Sequence, residues 1–191
     1  MASLRIRTRR WTRQEYDRLI EIGLLQEDDP IELIEGRLVV AEPQRKPHAC
    51  AVELAAEAIR RAFGRGWRVR VQLPLALGPD SAPEPDVSVV RGAPRDALSG
   101  HPTTAVLVVE VADSSLPLDR GPKAQIYARA GITDYWIVNL PDCVLEVYRE
   151  PRGREPRGRA RYTAVERLGA DAILAPLAAP DVTLSVADLL P

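Results

Sequence analysis

Three side chains in this sequence, Asp86, Glu110 and Lys123, have the types and the spacing to carry out hydrolysis together. Glu110 breaks into a run of apolar, mostly β-branched residues from Ala105 to Val111, the pattern of a strand covered on both faces. A carboxylate at such a place needs a partner. Asp86 follows a proline at the head of another short run, DVSVVR. If the two runs are neighbours in an antiparallel meander, the start of one lies beside the end of the other, about 5 Å away across the ladder. Carboxylates that close repel, and a hard divalent cation, Mg²⁺ or Mn²⁺, relieves the repulsion with carboxylate, carbonyl and water oxygens as ligands. Lys123, on the helix that follows, can aim its ammonium at the same end of the sheet. There it would position a water or stabilise a developing oxyanion during phosphodiester hydrolysis. Of the 26 basic residues only Lys46 and Lys123 are lysines, so the compact ammonium at 123 stands out against an arginine background. Taken singly, each residue has a commoner role: an Asp after Pro is usually a turn acid, a Glu at a strand end usually emerges into water, and a helix Lys is usually solvated.

The elements that must position these groups can be read from pattern. Thr12 with Glu15 predicts a capping box opening a short helix, and Ile31 to Ala41 predicts a tight β-hairpin about Glu35-Gly36. On pattern alone Glu32 and Glu35 face water on that hairpin. Ala49, Val52, Ala55, Ala56, Ile59 and Phe63 make one helical stripe between Pro47 and Phe63. Three strands follow, Arg68 to Leu77, Asp86 to Arg91 and Ala105 to Val111. A helix from Asp119 to Ala130 is stopped by Gly131, and strands at Tyr135 to Leu140 and Val144 to Arg149 come after it. The expected fold is a single α/β domain over residues 1–191 with a mixed sheet and an αβββαβ core, preceded by the helix and hairpin. Residues 1–10 are expected to be a loose arm and Pro151 to Arg161 a flexible loop, with edge strands and a terminal helical turn beyond.

Composition narrows the class. A chain of 191 residues, 46% hydrophobic, can bury a core without staples. Its apolar runs are far too short to span a membrane, and the start lacks the pattern of a secretory signal, so a cytoplasmic location is expected. Cys50 and Cys143 have neither disulfide-framework nor zinc spacing. The net charge of -1 does not mark a strongly basic nucleic-acid binder, although arginines cluster at 5–13, 60–70 and 149–161.

The order P-D, then an acid on the next strand, then a lysine on the following helix resembles the PD-(D/E)xK nuclease superfamily in the form whose lysine has moved onto the helix. More specifically, WTRQEYDRL, IELIEGRLVV, EPDVSVV, the stretch VVEVADSSLPLDRGPKAQIYARAGITDYWIVNL and LEVYRE are similar to the Uma2-type (DUF820) endonuclease family along most of the chain. The resemblance implies a restriction-endonuclease-like core, hydrolysis of nucleic acid, DNA first, with Mg²⁺ or Mn²⁺, release of a 5′-phosphate, and a homodimer. Asp86 and Glu110 match the metal-binding acids, Lys123 the migrated lysine, and Glu32 a family acid whose role the resemblance leaves unspecified. The older motif has its lysine where this chain has Ala112, so catalysis depends on Lys123 reaching the site. The contrasting reading is a catalytically inactive module that keeps the fold to bind nucleic acid or protein.

Overall fold

The computed structural model describes residues 8–26, 29–41, 44–153 and 159–191. Helix α1 (Arg13–Glu21) opens on the predicted capping box: the Glu15 N–H donates to Thr12 Oγ1 at 3.2 Å and the Thr12 N–H donates to the Glu15 carboxylate at 2.9 Å. Strands β1 (Ile31–Ile34) and β2 (Arg37–Val40) form the predicted hairpin. Its turn residues Glu35 and Gly36 have φ of 48° and 75°, the left-handed pair that a two-residue hairpin turn of this hand requires. The chain ahead of α1 lies on that turn, because Arg10 Nη1 donates to the Glu35 carbonyl at 3.0 Å and the Trp11 N–H to the Gly36 carbonyl at 2.8 Å. The end of the expected loose arm is therefore tied down, while residues 1–7 lie outside the described residues.

Helix α2 (Lys46–Phe63) buries Val52, Ala55, Ala56, Ile59 and Phe63, as its stripe predicts. It packs on a six-stranded sheet of β3 (Trp67–Val71), β4 (Val87–Arg91), β5 (Leu107–Ala112), β6 (Asp134–Asn139), β7 (Val144–Arg152) and β8 (Arg161–Leu168), arranged in chain order. All pairs are antiparallel except β5 with β6, which run parallel across the helical crossover. The αβββαβ core is thus present. Alternation sorts the sheet: Val87, Val89, Leu107, Val109, Val111, Trp136 and Val138 meet α2, and Val90, Val108, Ala112, Tyr135 and Ile137 meet the crossover. Glu110 has the parity of Val108 and Ala112, so it points at the crossover.

Several boundaries differ from expectation, each for a local reason. Strand β3 stops at Val71 rather than Leu77, since Gln72 adopts φ 49° and leaves the ladder. The backbone beyond it bonds elsewhere, Leu75 N–H to Pro83 and Ala76 N–H to Pro102. Strand β5 continues to Ala112, which puts Glu110 inside the strand and not at its end. The expected helix begins early, at Leu116, and is not uniform: α3 (Leu116–Leu118), a π-turn (Asp119–Lys123) and α4 (Ala124–Ala130) run on from one another. Pro122 sits inside that turn and has no N–H to give, and the Ala124 N–H reaches the Asp119 carbonyl five residues back. Gly131, at φ 75°, ends the segment as predicted. Strand β7 extends to Arg152, whose partner is Arg161, so the expected 151–161 loop is shorter at both ends, and residues 154–158 lie outside the described residues. Beyond β8, the pair β9 (Ile173–Leu174) and β10 (Leu184–Ser185) and a closing 3₁₀ turn, Val186–Leu189, cover the α2 face. Among the described residues no helix is long and apolar enough to cross a membrane.

Candidate functional site

The hairpin β1–β2, the head of α2, the starts of β4 and α3, and the middle of β5 enclose a cleft of about 480 Å³. Seven carboxylates line it, from Asp29, Glu32, Glu84, Asp86, Glu110, Asp113 and Asp119, against the cationic side chains of Lys123 and Arg45 and the imidazole of His48. The four residues singled out in the sequence all reach this cleft.

Asp86 stands one residue ahead of β4. The register Val87↔Val109, carried one step further, sets it opposite Glu110, as the meander argument required. Its two oxygens are already engaged: Oδ2 accepts from the Val111 N–H at 2.8 Å and Oδ1 from Gln72 Nε2 at 3.2 Å. Glu110 is buried beneath the crossover, where its Oε1 accepts from the Tyr127 hydroxyl at 2.5 Å and lies 3.1 Å from Lys123 Nζ. Lys123 does reach the site. Its ammonium, although buried, is shared between Glu110 and Glu32, which it meets at 3.2 Å. The expectation that Glu32 and Glu35 face water is overturned: Glu32 takes Lys123 and Glu35 takes Arg129 at 3.0 Å. The hairpin folds back over the crossover, and both acids on its inner side meet cations there.

Burial decides the electrostatics. It raises the Glu110 pKa well above the ordinary carboxylate range, with Asp119, Asp86 and Glu32 adding repulsion that Lys123 only partly offsets. Asp119 is pushed up to about 6 by burial, and Glu84 to about 7 by burial and by Glu32. Burial alone would lower the Lys123 pKa, but Glu110, Glu32, Asp119 and Asp86 outweigh it and hold the pKa above that of a free lysine. Lys123 is therefore a fixed positive charge and not a base.

Sequence reasoning missed four members of the site. His48 lies in the first turn of α2 with Nε2 3.4 Å from Asp86 Oδ2, and contact with that carboxylate raises its pKa. It shares a helix face with Val52, four residues on, which was the available signal. Glu84 donates its N–H to Glu32 Oε2 at 3.2 Å, so the acid two residues before Asp86 is fastened to the hairpin. Asp119 accepts from Ser115 Oγ at 2.6 Å, and Gln72 braces Asp86. Apart from that helix-face spacing of His48, none of these contacts has a periodic signature.

Among the described residues no three Asp, Glu, His or Cys side chains converge as a preformed metal-binding group. The pairing of Asp86 with Glu110 is nonetheless an all-oxygen donor set of the kind hard divalent cations take. Glu110, whose pKa is driven upward by burial and by its neighbouring acids, also marks a place short of positive charge, which fits such an ion.

The Uma2 family model, described as "Putative restriction endonuclease", matches residues 13–187. No curated protein matches the chain in sequence. Among solved structures, one described as a "putative nuclease belonging to DUF820" from Anabaena variabilis ATCC 29413 superposes with a TM-score of 0.67 over 90% of this chain and 96% of that one. At 22% identity that likeness concerns the fold.

Proposed function

The chain belongs to the Uma2 family, and from that premise we propose that it is a metal-dependent endonuclease that hydrolyses phosphodiester bonds of nucleic acid, with DNA the first substrate to test. The observation that carries this reading is the buried Lys123 ammonium, held between Glu110 and Glu32 in an acid-rich cleft that also contains Asp86. Asp86 and Glu110 would hold Mg²⁺ or Mn²⁺. Such an ion, when bound, supplies a Lewis acid for the scissile phosphate.

The remaining work falls to the chain's own groups. Lys123 stays protonated, so it donates hydrogen bonds to an attacking water or to a phosphate oxygen and adds charge where negative charge develops. Glu32 fixes the ammonium from the hairpin side, Tyr127 holds Glu110 from the helix side, and His48 with Gln72 orients Asp86. A carboxylate set tuned upward, as Glu84 and Asp119 are, offers protons near neutral pH that a departing alkoxide can take.

Incubation of the pure protein with supercoiled, linear and single-stranded DNA, and with RNA, in Mg²⁺ or Mn²⁺ tests the reading. Cleavage that is lost in Asp86→Ala and Lys123→Ala supports it; no cleavage of any substrate sinks it. The second reading, an inactive binding module, draws support from the absence of a three-ligand group among the described residues. Calorimetric titration with Mn²⁺ separates the two, since a remnant shows no binding that Asp86→Asn abolishes. Dimerisation, which the family implies, is read in the same preparations by light scattering.

A further inference from the structure

A second buried carboxylate lies on the same rung of the sheet as Glu110. Glu110 pairs with Ile137 and Ile137 with Glu146, so the two acids stand on the same face with one strand between them, about 10 Å apart. Each meets a cation from the same turn of the crossover. Lys123 takes Glu110, and Arg120 takes Glu146 through both arms of its guanidinium, Nε to Oε2 at 3.0 Å and Nη2 to Oε1. Glu146 is fully buried and fully satisfied, for Asn139 Nδ2 donates to Oε1 and the Tyr148 hydroxyl to Oε2, both at 2.8 Å. Burial would raise its pKa, but these donors, led by Arg120, hold it down to about 2. The anchor is thus charged at any working pH.

The turn between the two cations needs such an anchor. It is the π-turn Asp119–Lys123, and Pro122 within it has no N–H with which to close an α-helical bond. A π-turn is intrinsically less stable than the α-helix on either side of it. Its amino end is fixed a second time, by the Tyr135 hydroxyl of β6, which donates to the Asp119 carbonyl at 3.0 Å. Arg120 and Tyr135 tie the turn to the sheet, in addition to Ser115 on Asp119 and the buried residues of α4 that follow it. We propose that Arg120 and Glu146 are positioning residues of the site: their bidentate pair on β7, with Tyr135 beneath Asp119, clamps the π-turn so that Lys123 is delivered to Glu110. The inference rests on Lys123 being the working cation of the proposed nuclease, but its test needs neither metal nor nucleic acid.

The chain contains only two lysines, and Lys46, at the exposed start of α2, is an internal reference for Lys123. Trace labelling of both with acetic anhydride in EDTA, read by peptide mass spectrometry, reports access to Lys123. In the parent protein Lys123 should label far more slowly than Lys46. In Arg120→Ala and in Glu146→Gln the Lys123-to-Lys46 ratio should rise about tenfold or more, the change in local opening expected when a charged, doubly hydrogen-bonded anchor is lost. Arg120→Lys, which keeps a cation for Glu146, should bring the ratio back toward the parent value. Arg167→Ala is the control for general loosening, because Arg167 approaches the same carboxylate at 3.8 Å from β8 without touching the turn. An unchanged ratio in folded Arg120→Ala, or an equal rise in Arg167→Ala, overturns the proposal. If Arg120→Ala does not fold, Tyr135→Phe removes only the hydroxyl under Asp119, and an unchanged ratio there overturns it equally. Where cleavage is measurable, Arg120→Ala and Glu146→Gln should lower kcat with KM unchanged, and Arg167→Ala should leave both near the parent values. Failure of all cleavage with the labelling pattern intact would count against the nuclease reading alone.

Discussion

Lys123→Met isolates what the buried ammonium does for the fold. Methionine keeps most of the aliphatic volume, so the loss is the charge shared by Glu110 and Glu32 at 3.1 and 3.2 Å. Removing one partner of a buried pair costs about 3–5 kcal/mol, because the other is left uncompensated. For a chain of this size, at about 2–4 °C per kcal/mol, that is a fall in Tm of about 6–20 °C. The cost should depend on pH. Without Lys123 the Glu110 pKa, already raised by burial, rises further, so Glu110 escapes the penalty by taking up a proton. A carboxyl whose folded pKa lies above its unfolded value contributes stability that is present below the unfolded pKa and lost as pH rises through the folded one. The destabilisation should therefore be smaller at pH 5 than at pH 8. Urea unfolding of both proteins at the two pH values, in EDTA, measures it. A difference below about 1 kcal/mol at pH 8, or equal destabilisation at both pH values, would show that the ammonium does not compensate buried carboxylates as argued.

Three further outcomes follow from the same geometry. The parent protein in EDTA should lose stability from pH 5.5 to 8, because Asp119 and Glu84 are raised to about 6 and about 7, and Mn²⁺ should restore more at pH 8 than at pH 5.5; a Tm that is flat in pH and insensitive to Mn²⁺ contradicts this. Tyr127→Phe withdraws the hydroxyl from Glu110 Oε1 and should cost about 1–3 kcal/mol in urea unfolding without changing the far-UV spectrum. Gly36→Ala places a Cβ 2.7 Å from Arg10 Cβ and 3.0 Å from the Trp11 carbonyl at φ 75°. It should destabilise by about 1–3 kcal/mol in the same assay, and a neutral result would mean that the segment ahead of α1 is not seated on the hairpin turn.

What local pattern carries, the sequence by itself determined. The capping box at Thr12 and Glu15, the Glu35-Gly36 turn, the buried stripe of α2, the crossover from β5 to β6 and the stop at Gly131 all depend on residues within a few positions of one another, and all stand as read. The juxtaposition of Asp86 and Glu110 was also legible, because a meander converts sequence spacing into register. Where the sequence misled, the deciding contact was distant. Glu32 looks solvated until the crossover 91 positions away is packed against it, and only then does it meet Lys123. Glu146 alternates along β7 like any edge-facing acid, and nothing in its neighbourhood announces that Arg120 will cover it. The break at Gln72 and the π-turn around Pro122 are likewise settled by what the backbone bonds to once the layers are stacked. Only the tertiary structure decided which charges are buried, since desolvation depends on what lies overhead, and that is why Lys123 is a bridged, permanently charged group instead of a solvated one.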